Sequence, residues 1–547
     1  MNRAENQTMS LWIDRIFLFI SVCVFAWVWG FSFEHVPIIE NVLNQRIVLY
    51  FLLAAAIALV VLYGMLRAKA SGSLNEFFTQ HETWLVCLFL LAYFMVMSLS
   101  ALTRHFVFKS HAFDLAIFDQ AIWSLHKGKF LYSSFKGGIC LLGDHMSPVL
   151  ILFSPLYWIW NDVRALLTAQ AFVTALCLIP LAAISRKKLG SGLAPVVFSL
   201  ALFLYLPLRN SVRADFHPEQ IANVLIFAAF YFLISNRTKL FWLAVVATVL
   251  CKENMYGVAF IFGVYCLFLK KFRSAIILIV FSILLFYVTT QILIPRIAGM
   301  DRYFYQGNYS YLFTGSWGAH APLVVKPLEL IEYLYRIYLP LGFFSFLYLP
   351  TFLLNVPILL QNILSRNETM HSLAFQYTTG LTPMVFVSAV YGLAEFLSRI
   401  KNQLRAKALK PIALTLIAVL SLALAGKPER EHITKFKSLD NSHKAIVRRL
   451  VKQIPERFSI VTNDMLAPHL SHRFSIRQFE DFQRLPVSDR YPLEADLVIL
   501  DRELMQDGRD VLTEAEKVER SGYRTVFERN GFVVLQRHDI PKTLLLN

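Results

Sequence analysis

The sequence predicts a mostly helical, polytopic membrane protein with a transmembrane helical bundle over residues 1–426 and a small soluble α/β domain over 427–547. Hydrophobic residues make up 56% of the 547 residues and charged residues 16%, whereas soluble domains average roughly a quarter charged residues. Many apolar runs have the ~20 residues that a helix needs to cross a bilayer core. After residue 426 charges become dense and the apolar runs shorten to strand length.

The apolar runs predict about 13 membrane spans, since helices satisfy their own backbone hydrogen bonds in lipid. The spans lie near residues 13–33, 46–66, 83–103, 164–185, 192–209, 219–235, a pair within 240–269, 274–294, 331–347, 350–364, 380–399 and 411–426. Residues 147–160 are too short and too rich in proline to span, and they predict an interfacial or re-entrant helix.

The basic linkers predict the orientation. They are residues 67–70, 185–190, 236–239, 270–273 and 399–410, which the positive-inside rule assigns to the cytoplasm. All five share one side if the N-terminus is cytoplasmic and 240–269 forms a hairpin of two short helices. The loops that then face outward, together with the C-terminal domain, are 104–163, 210–218, 295–330 and 365–379. We therefore expect a multi-pass protein of the inner or plasma membrane.

The C-terminal domain is predicted from strand-like runs that alternate with helical patterns. The runs are 458–462, 495–500, 523–528 and 532–537. Such alternation is typical of a small α/β layer.

The net charge of +16 does not predict nucleic-acid binding, because Lys and Arg cluster at the ends of the spans. Five of the six cysteines fall inside apolar runs, with Cys140 in a candidate water-facing loop. This distribution indicates neither a disulfide framework nor a zinc site.

The first outward loop contains two acids within an apolar stretch, "FDLAIFDQAIW" at residues 113–123. Asp114 and Asp119 are five residues apart, so on a helix they point to different faces and at most one serves a given site. Spacing leaves the choice between them open. Asp114 could also be a first-turn carboxylate that the helix dipole favours.

Further ionisable residues occur at the outward ends of the spans, where charges are costly and therefore indicate function. They are Asp144 and His145 in the first loop, Arg209, Arg213, His217 and Glu219 between spans, and Lys252 and Glu253 at the apex of the hairpin. Each has an ordinary structural explanation when taken singly. Their convergence at one side predicts a site.

Six motifs occur in order: "FDLAIFDQAIWSLHKGKFLYSS", "LGDHMSPVLILFSPLYWI", "DFHPE", "CKEN", "HSLAFQYTTGLTP" and "APHLSHR". Together they resemble a family of prokaryotic polytopic membrane proteins defined by a domain of unknown function. That family looks distantly like the GT-C glycosyltransferases. The resemblance covers nearly the whole chain after residue 80.

The resemblance implies a glycosyltransferase that uses a polyprenyl-phosphate sugar and works on the extracytoplasmic side, with Asp114 or Asp119 as the catalytic acid. The hairpin of Lys252 resembles the short helix pair that brings a lysine near the donor phosphate in aminoarabinose and mannosyl transferases. Here Glu253-Asn254 replaces the Gly-Pro that often follows in those enzymes.

The developing charge on a lipid phosphate needs cations near the lipid boundary. The candidates for this role are Arg209, Arg213, Lys252 and Arg296. The candidates for contacts to substrate are Asp144, His145, His217, Glu219, Glu253, Gln376 and Tyr377. The expected partners are a lipid-linked sugar donor, membrane lipid and an envelope glycan, lipid or protein acceptor.

Two other functions remain open: a transporter or lipid flippase, and a non-catalytic envelope scaffold. Charges at the outward ends and the absence of two matching halves favour the enzyme. No cofactor is expected. A divalent metal stays open, because Asp144, His145, His217 and Glu219 form an oxygen and nitrogen set without zinc spacing.

Overall fold

Helices dominate the computed structural model, which describes residues 74–315, 322–425, 441–483, 494–505 and 510–541. The predicted spans 13–33 and 46–66 lie outside the described residues. The helices before residue 426 are α1 (Leu74–Phe106), α2 (Ile117–His126), α3 (Leu156–Ile159), α4 (Arg164–Ala175), α5 (Leu178–Leu189), α6 (Leu193–Leu204), α7 (Leu206–Arg213), α8 (Gln220–Ile234), α9 (Thr238–Val249), α10 (Met255–Phe268), α11 (Phe272–Val288), α12 (Ile294–Ala298), α13 (Tyr311–Thr314), α14 (Pro327–Tyr338), α15 (Leu349–Phe352), α16 (Val356–Ile363), α17 (Leu381–Ser398) and α18 (Gln403–Leu424).

Several of these helices could cross a membrane. By length and composition, five segments of the described chain qualify: Glu76–Phe106, Arg164–Leu189, Phe272–Ala298, Leu381–Ser398 and Gln403–Leu424. The pair α6 and α7, bent by 46°, would make six. Five shorter apolar helices include α9 and α10, which form the predicted hairpin. The structure therefore supports a polytopic helical protein, while the predicted count of about 13 spans is not confirmed.

One predicted span is wrong. Residues 331–347 do not form a continuous helix, because α14 ends at Tyr338 and two short 3-10 turns follow. Pro340 lacks the N–H that would continue the helix, and Gly342 has a φ of +61°, which is left-handed. Apolar composition alone did not reveal this break.

Of the predicted cytoplasmic linkers, 67–70 lies outside the described residues, and the other four contact one another in two pairs. Lys271 Nζ donates to Asn236 Oδ1 at 2.9 Å, and Lys410 contacts the carbonyl of Leu189. The four predicted outward loops meet one another elsewhere, as when the backbone N–H of Arg366 donates to the carbonyl of Asn308. The side of the membrane that each group of loops faces stays a prediction from the charge pattern.

The C-terminal domain contains a five-stranded mixed sheet with strand order β4-β3-β5-β7-β6. Its elements are α19 (Asn441–Val451), β3 (Ile460–Thr462), β4 (Ile476–Gln478), α20 (Phe479–Gln483), β5 (Leu497–Asp501), α21 (Val511–Arg520), β6 (Tyr523–Arg529) and β7 (Phe532–Arg537), while the short hairpin β1 (Tyr132–Ser133) and β2 (Ile139–Cys140) belongs to the first loop. Strand β3 is parallel to β4 and β5, whereas β7 is antiparallel to β5 and β6. The carboxyl ends of β3 and β4 therefore lie at one edge.

The C-terminal domain shares a hydrophobic core with the first loop. Phe108, Ala112 and Ala116 of that loop belong to the same buried cluster as Leu466 and Leu470 of the domain. Burial of this shared apolar surface contributes a free energy of ~25 cal/mol per Å² to the docking of the domain against the loop. The loop that carries Asp114 is therefore packed against a domain more than 300 residues later in the chain.

Candidate functional site

A cavity of about 730 Å³ lies where the four predicted outward loops meet the break between α9 and α10. It has a polar region near the loops and an apolar region between α10, α11 and α16. The candidate residues from the sequence that line it are Asp114, Asp144, His145, His217, Glu219, Lys252, Glu253, Gln376 and Tyr377. We take this cavity as the candidate active site, since a concave apolar pocket with convergent polar groups is the usual form.

Asp114 enters the cavity from a distorted turn between α1 and α2. Its backbone has φ +91° and ψ −83°, a conformation that costs a non-glycine residue about 1–3 kcal/mol. The neighbours Ala112 and Leu115 are fully buried, whereas the Asp114 side chain is 40% exposed. The turn thus buries its apolar residues while turning one carboxylate into the cavity.

The Asp114 carboxylate lies beside a buried histidine. Its Oδ1 is 3.2 Å from Nε2 of His217. Gln170 on α4 holds the backbone at this histidine, because its Oε1 accepts from the backbone N–H of His217 at 2.6 Å while its Nε2 donates to the Asp215 carbonyl at 2.8 Å. Burial acts to lower the pKa of His217, but the charges of Asp114 and Glu219 outweigh it and raise that pKa. The pair therefore favours an imidazolium beside a carboxylate.

Lys252 occupies the break between α9 and α10 and pairs with Glu219. The Lys252 Nζ donates to Glu219 Oε1 at 3.0 Å, and both side chains are largely buried. Burial opposes the charge of Lys252, but Glu219 and Glu253 together raise its pKa above the ordinary value. The lysine is therefore held as a cation in the polar region of the cavity.

Glu253 joins three segments of chain. Its Oε1 accepts from His145 Nδ1 and from the Tyr303 hydroxyl, both at 2.7 Å, and its Oε2 accepts from the Met146 N–H at 2.9 Å. Burial alone would raise the pKa of Glu253, but His145, Lys252 and Tyr303 lower it to about 2. A carboxylate so fully hydrogen-bonded has a structural role as the anchor of the cavity wall.

Asp144 lies on the same wall. Its Oδ2 is 3.0 Å from Lys136 Nζ, and its Oδ1 accepts from the Tyr305 hydroxyl at 3.0 Å. The Tyr305 ring stacks on His145 with centroids 4.4 Å apart. Lys136 was not among the sequence candidates, because it is a single lysine in a loop and no motif of fixed spacing marks it.

Four candidate residues do not line the cavity. Asp119 is fully buried on α2, where it accepts hydrogen bonds from Tyr157 and Ser471. Arg209 donates to the carbonyl of Ala425, Arg213 donates to Asn210 Oδ1, and Arg296 is exposed on α12. Asp114 lies in the distorted turn before α2 and not on the same regular helix as Asp119, so packing and not helical spacing determines which acid reaches the cavity.

A metal site is not formed by the described residues: no group of three or more His, Cys, Asp or Glu side chains could hold an ion there. The set Asp144, His145, His217 and Glu219 is divided among separate ion pairs with Lys136, Glu253, Asp114 and Lys252. These acids are therefore neutralised by protein cations.

The fold and the cavity define a polytopic helical membrane protein with a polar site beside a docked α/β domain. The chain belongs to the DUF2079 family, described as "Predicted membrane protein", whose profile matches residues 104–534. The family membership expected from the six motifs is thereby confirmed. A search of curated proteins finds no match.

Solved structures that are similar to the chain include two of ArnT. The crystal structure of ArnT from Cupriavidus metallidurans bound to undecaprenyl phosphate has a TM-score of 0.48 at 10% identity and covers 82% of this chain and 97% of that chain. The apo structure of the same ArnT has a TM-score of 0.47 at 11% identity, with 80% and 97% covered.

Proposed function

We propose that the protein is a membrane glycosyltransferase that moves a sugar from a polyprenyl-phosphate donor to an envelope acceptor. The observation that carries the proposal is the Asp114 carboxylate, which opens into a cavity with Lys252 in its polar region and an apolar region beyond. A base, a cation for phosphate and an apolar channel are the three elements that such a transfer needs.

In the proposed reaction, Asp114 accepts the proton of an acceptor hydroxyl while the oxygen of that hydroxyl attacks the anomeric carbon. The bond from that carbon to the phosphate oxygen breaks, and its electron pair leaves with the lipid phosphate. The transition state resembles an oxocarbenium ion, so the negative charge near it is favourable. Lys252 stabilises the charge that grows on the phosphate.

The apolar region of the cavity suits the lipid chain of the donor. Its lining includes Ile283 and Phe286 on α11, which are 57% and 52% exposed, and Leu360 on α16, which is 44% exposed. Apolar side chains that are both exposed and part of the cavity leave it open toward lipid. We infer that the polyprenyl chain enters from the membrane between α11 and α16.

The side of the membrane follows from the charge pattern. No residue of the described basic linkers lines the cavity, and the positive-inside rule assigns the basic linkers to the cytoplasm. We therefore place the cavity and the C-terminal domain (427–547) on the extracytoplasmic side and the N-terminus in the cytoplasm. The acceptor would be a glycan, lipid or protein of the envelope.

The pH dependence of transfer tests the pairing of Asp114 with His217. Burial acts to raise the pKa of Asp114, but His217, Lys252 and Lys136 lower it, so the base stays ionised as the pH falls. His217→Gln removes the first of these cations, and we expect the acid limb of the kcat/KM profile to move to higher pH. An unchanged acid limb would contradict the pairing. The control is His126→Gln, since His126 lies on α2 outside the cavity.

The proposal is tested by transfer of radiolabel from a panel of polyprenyl-phosphate sugars in membranes that contain the full chain. We expect at least one donor to label an envelope fraction, with release of polyprenyl phosphate in equal amount. If no donor is consumed while labelled lipid crosses sealed vesicles in a protein-dependent manner, the function is transport or lipid flipping. The transferase would then be excluded.

A further inference from the structure

The C-terminal domain holds the backbone just before Asp114 through one carboxylate. Asp464 Oδ1 accepts from the Ala112 N–H at 2.7 Å, and its Oδ2 accepts from His111 Nδ1 at 2.6 Å. Ala112 is fully buried, so without this acceptor its N–H would be left unpaired at a cost of about 1–3 kcal/mol. The two contacts join residues 352 and 353 positions apart in the chain.

Asp464 is itself fixed in position. It lies two residues after the end of β3, at the carboxyl edge of the parallel strands. Gln478 at the end of β4 donates to its Oδ1 at 2.7 Å, and the Asp464 N–H donates to Glu480 Oε2 at 3.1 Å. A carboxylate held by two strands is a rigid support for the loop that it contacts.

The turn of Asp114 needs such a support. A non-glycine residue keeps a φ of +91° only where surrounding contacts hold its backbone in that conformation. On the N-terminal side, the His111 N–H also donates to Asp215 Oδ2 at 3.2 Å, and Arg104 pairs with the same carboxylate at 2.5 Å. The turn is therefore held from the helical bundle through Asp215 and from the C-terminal domain through Asp464.

The C-terminal domain also holds the chain after Asp114. Gln120 Nε2 on α2 donates to the carbonyl of Arg473 at 2.8 Å, and Ser471 donates to Asp119. The Ser134 hydroxyl donates to the carbonyl of Ile476 at 2.7 Å. Contacts on both sides of Asp114 mean that the domain sets the position of the whole segment 111–120.

We propose that Asp464 is a positioning residue that aims Asp114 into the cavity, so that the C-terminal domain is an integral part of the catalytic unit. The inference rests on the proposed function for the role of Asp114 as base. It deepens that function by assigning a task to the domain, which supplies the support of the base rather than acting as a separate module.

The test compares Asp464→Ala and Asp464→Asn in the full chain in lipid nanodiscs. Asp464→Ala removes both acceptor oxygens, so we expect Asp114 to be slightly misplaced and kcat per folded molecule to fall ~100-fold. The donor KM should stay within about twofold of the wild-type value. Asp464→Asn keeps one oxygen for the Ala112 N–H and should restore part of the rate. A purely structural role would lower the amount of folded protein and leave kcat unchanged.

The matched control is Asp496→Asn. Asp496 is a carboxylate of the same domain that also accepts from a backbone N–H, that of Ser459 at 2.8 Å, but it lies at the opposite ends of the strands. We expect its kcat to equal that of the wild type. Equal losses of kcat in the Asp496 and Asp464 variants would overturn the positioning role.

Hydrogen exchange separates this inference from the proposed function, because it needs no activity. We expect the amides of 111–116 to exchange at least about tenfold faster in Asp464→Ala, while those of α17 are unchanged. Faster exchange in a protein without transferase activity would confirm that Asp464 holds the segment 111–116. The same result would exclude the proposed transferase function. Unchanged exchange would overturn the inference even if transfer is found.

Discussion

Asp114→Asn is expected to lower kcat for sugar transfer about 100- to 10,000-fold, the range for loss of a general base. The amide has nearly the same shape as the carboxylate, and the side chain is 40% exposed, so the fold should be retained. The donor KM should change little, because the phosphate contacts Lys252 rather than Asp114 in the proposed complex. The measurement is initial rate against donor concentration at matched protein levels.

Two matched controls accompany this variant. Asp301→Asn changes an exposed acid of another outward loop and should leave the rate unchanged. Asp119→Asn removes a buried carboxylate that accepts from Tyr157 and Ser471, and it should lower the unfolding temperature while the rate per folded molecule falls far less than in Asp114→Asn. Loss of kcat in Asp119→Asn together with an active Asp114→Asn would assign the base to Asp119 instead.

Lys252→Met is expected to reduce both stability and transfer. Removing one member of a buried ion pair leaves Glu219 without its cation, which typically costs about 3–5 kcal/mol. The rate should fall about 100- to 1,000-fold in addition, because the leaving phosphate loses the positive charge that stabilises it. Thermal unfolding in nanodiscs and steady-state kinetics measure the two effects separately.

The double variant Lys252→Met/Glu219→Gln distinguishes the two roles of the lysine. It removes the unpaired charge of Glu219, so we expect most of the unfolding temperature to return while transfer stays low. Lys326→Met is the control, because Lys326 pairs with Glu368 at 3.3 Å at the surface, where an ion pair contributes little. Recovery of transfer in the double variant would show that Lys252 acts only through stability.

Local features of the fold could be predicted from the sequence because hydropathy and spacing act over a few residues. The predicted hairpin 240–269 corresponds to α9 and α10, and four predicted strands correspond to β3, β5, β6 and β7. Strand β4 was missed because it has three residues and includes Arg477 and Gln478. The break after Tyr338 was missed because the surrounding residues are apolar on both sides of Pro340.

The sequence by itself determined the membrane class, the family and a set of polar residues at the loop ends, because composition, charge at span ends and motifs are properties of the chain. Only the tertiary structure showed which of Asp114 and Asp119 opens into the cavity, since Asp119 is buried against the C-terminal domain whereas Asp114 is partly exposed. The contact of Asp464 with His111 joins residues 353 positions apart, a separation that no local pattern encodes. Packing between such distant segments brings together residues that the sequence identified only as candidates.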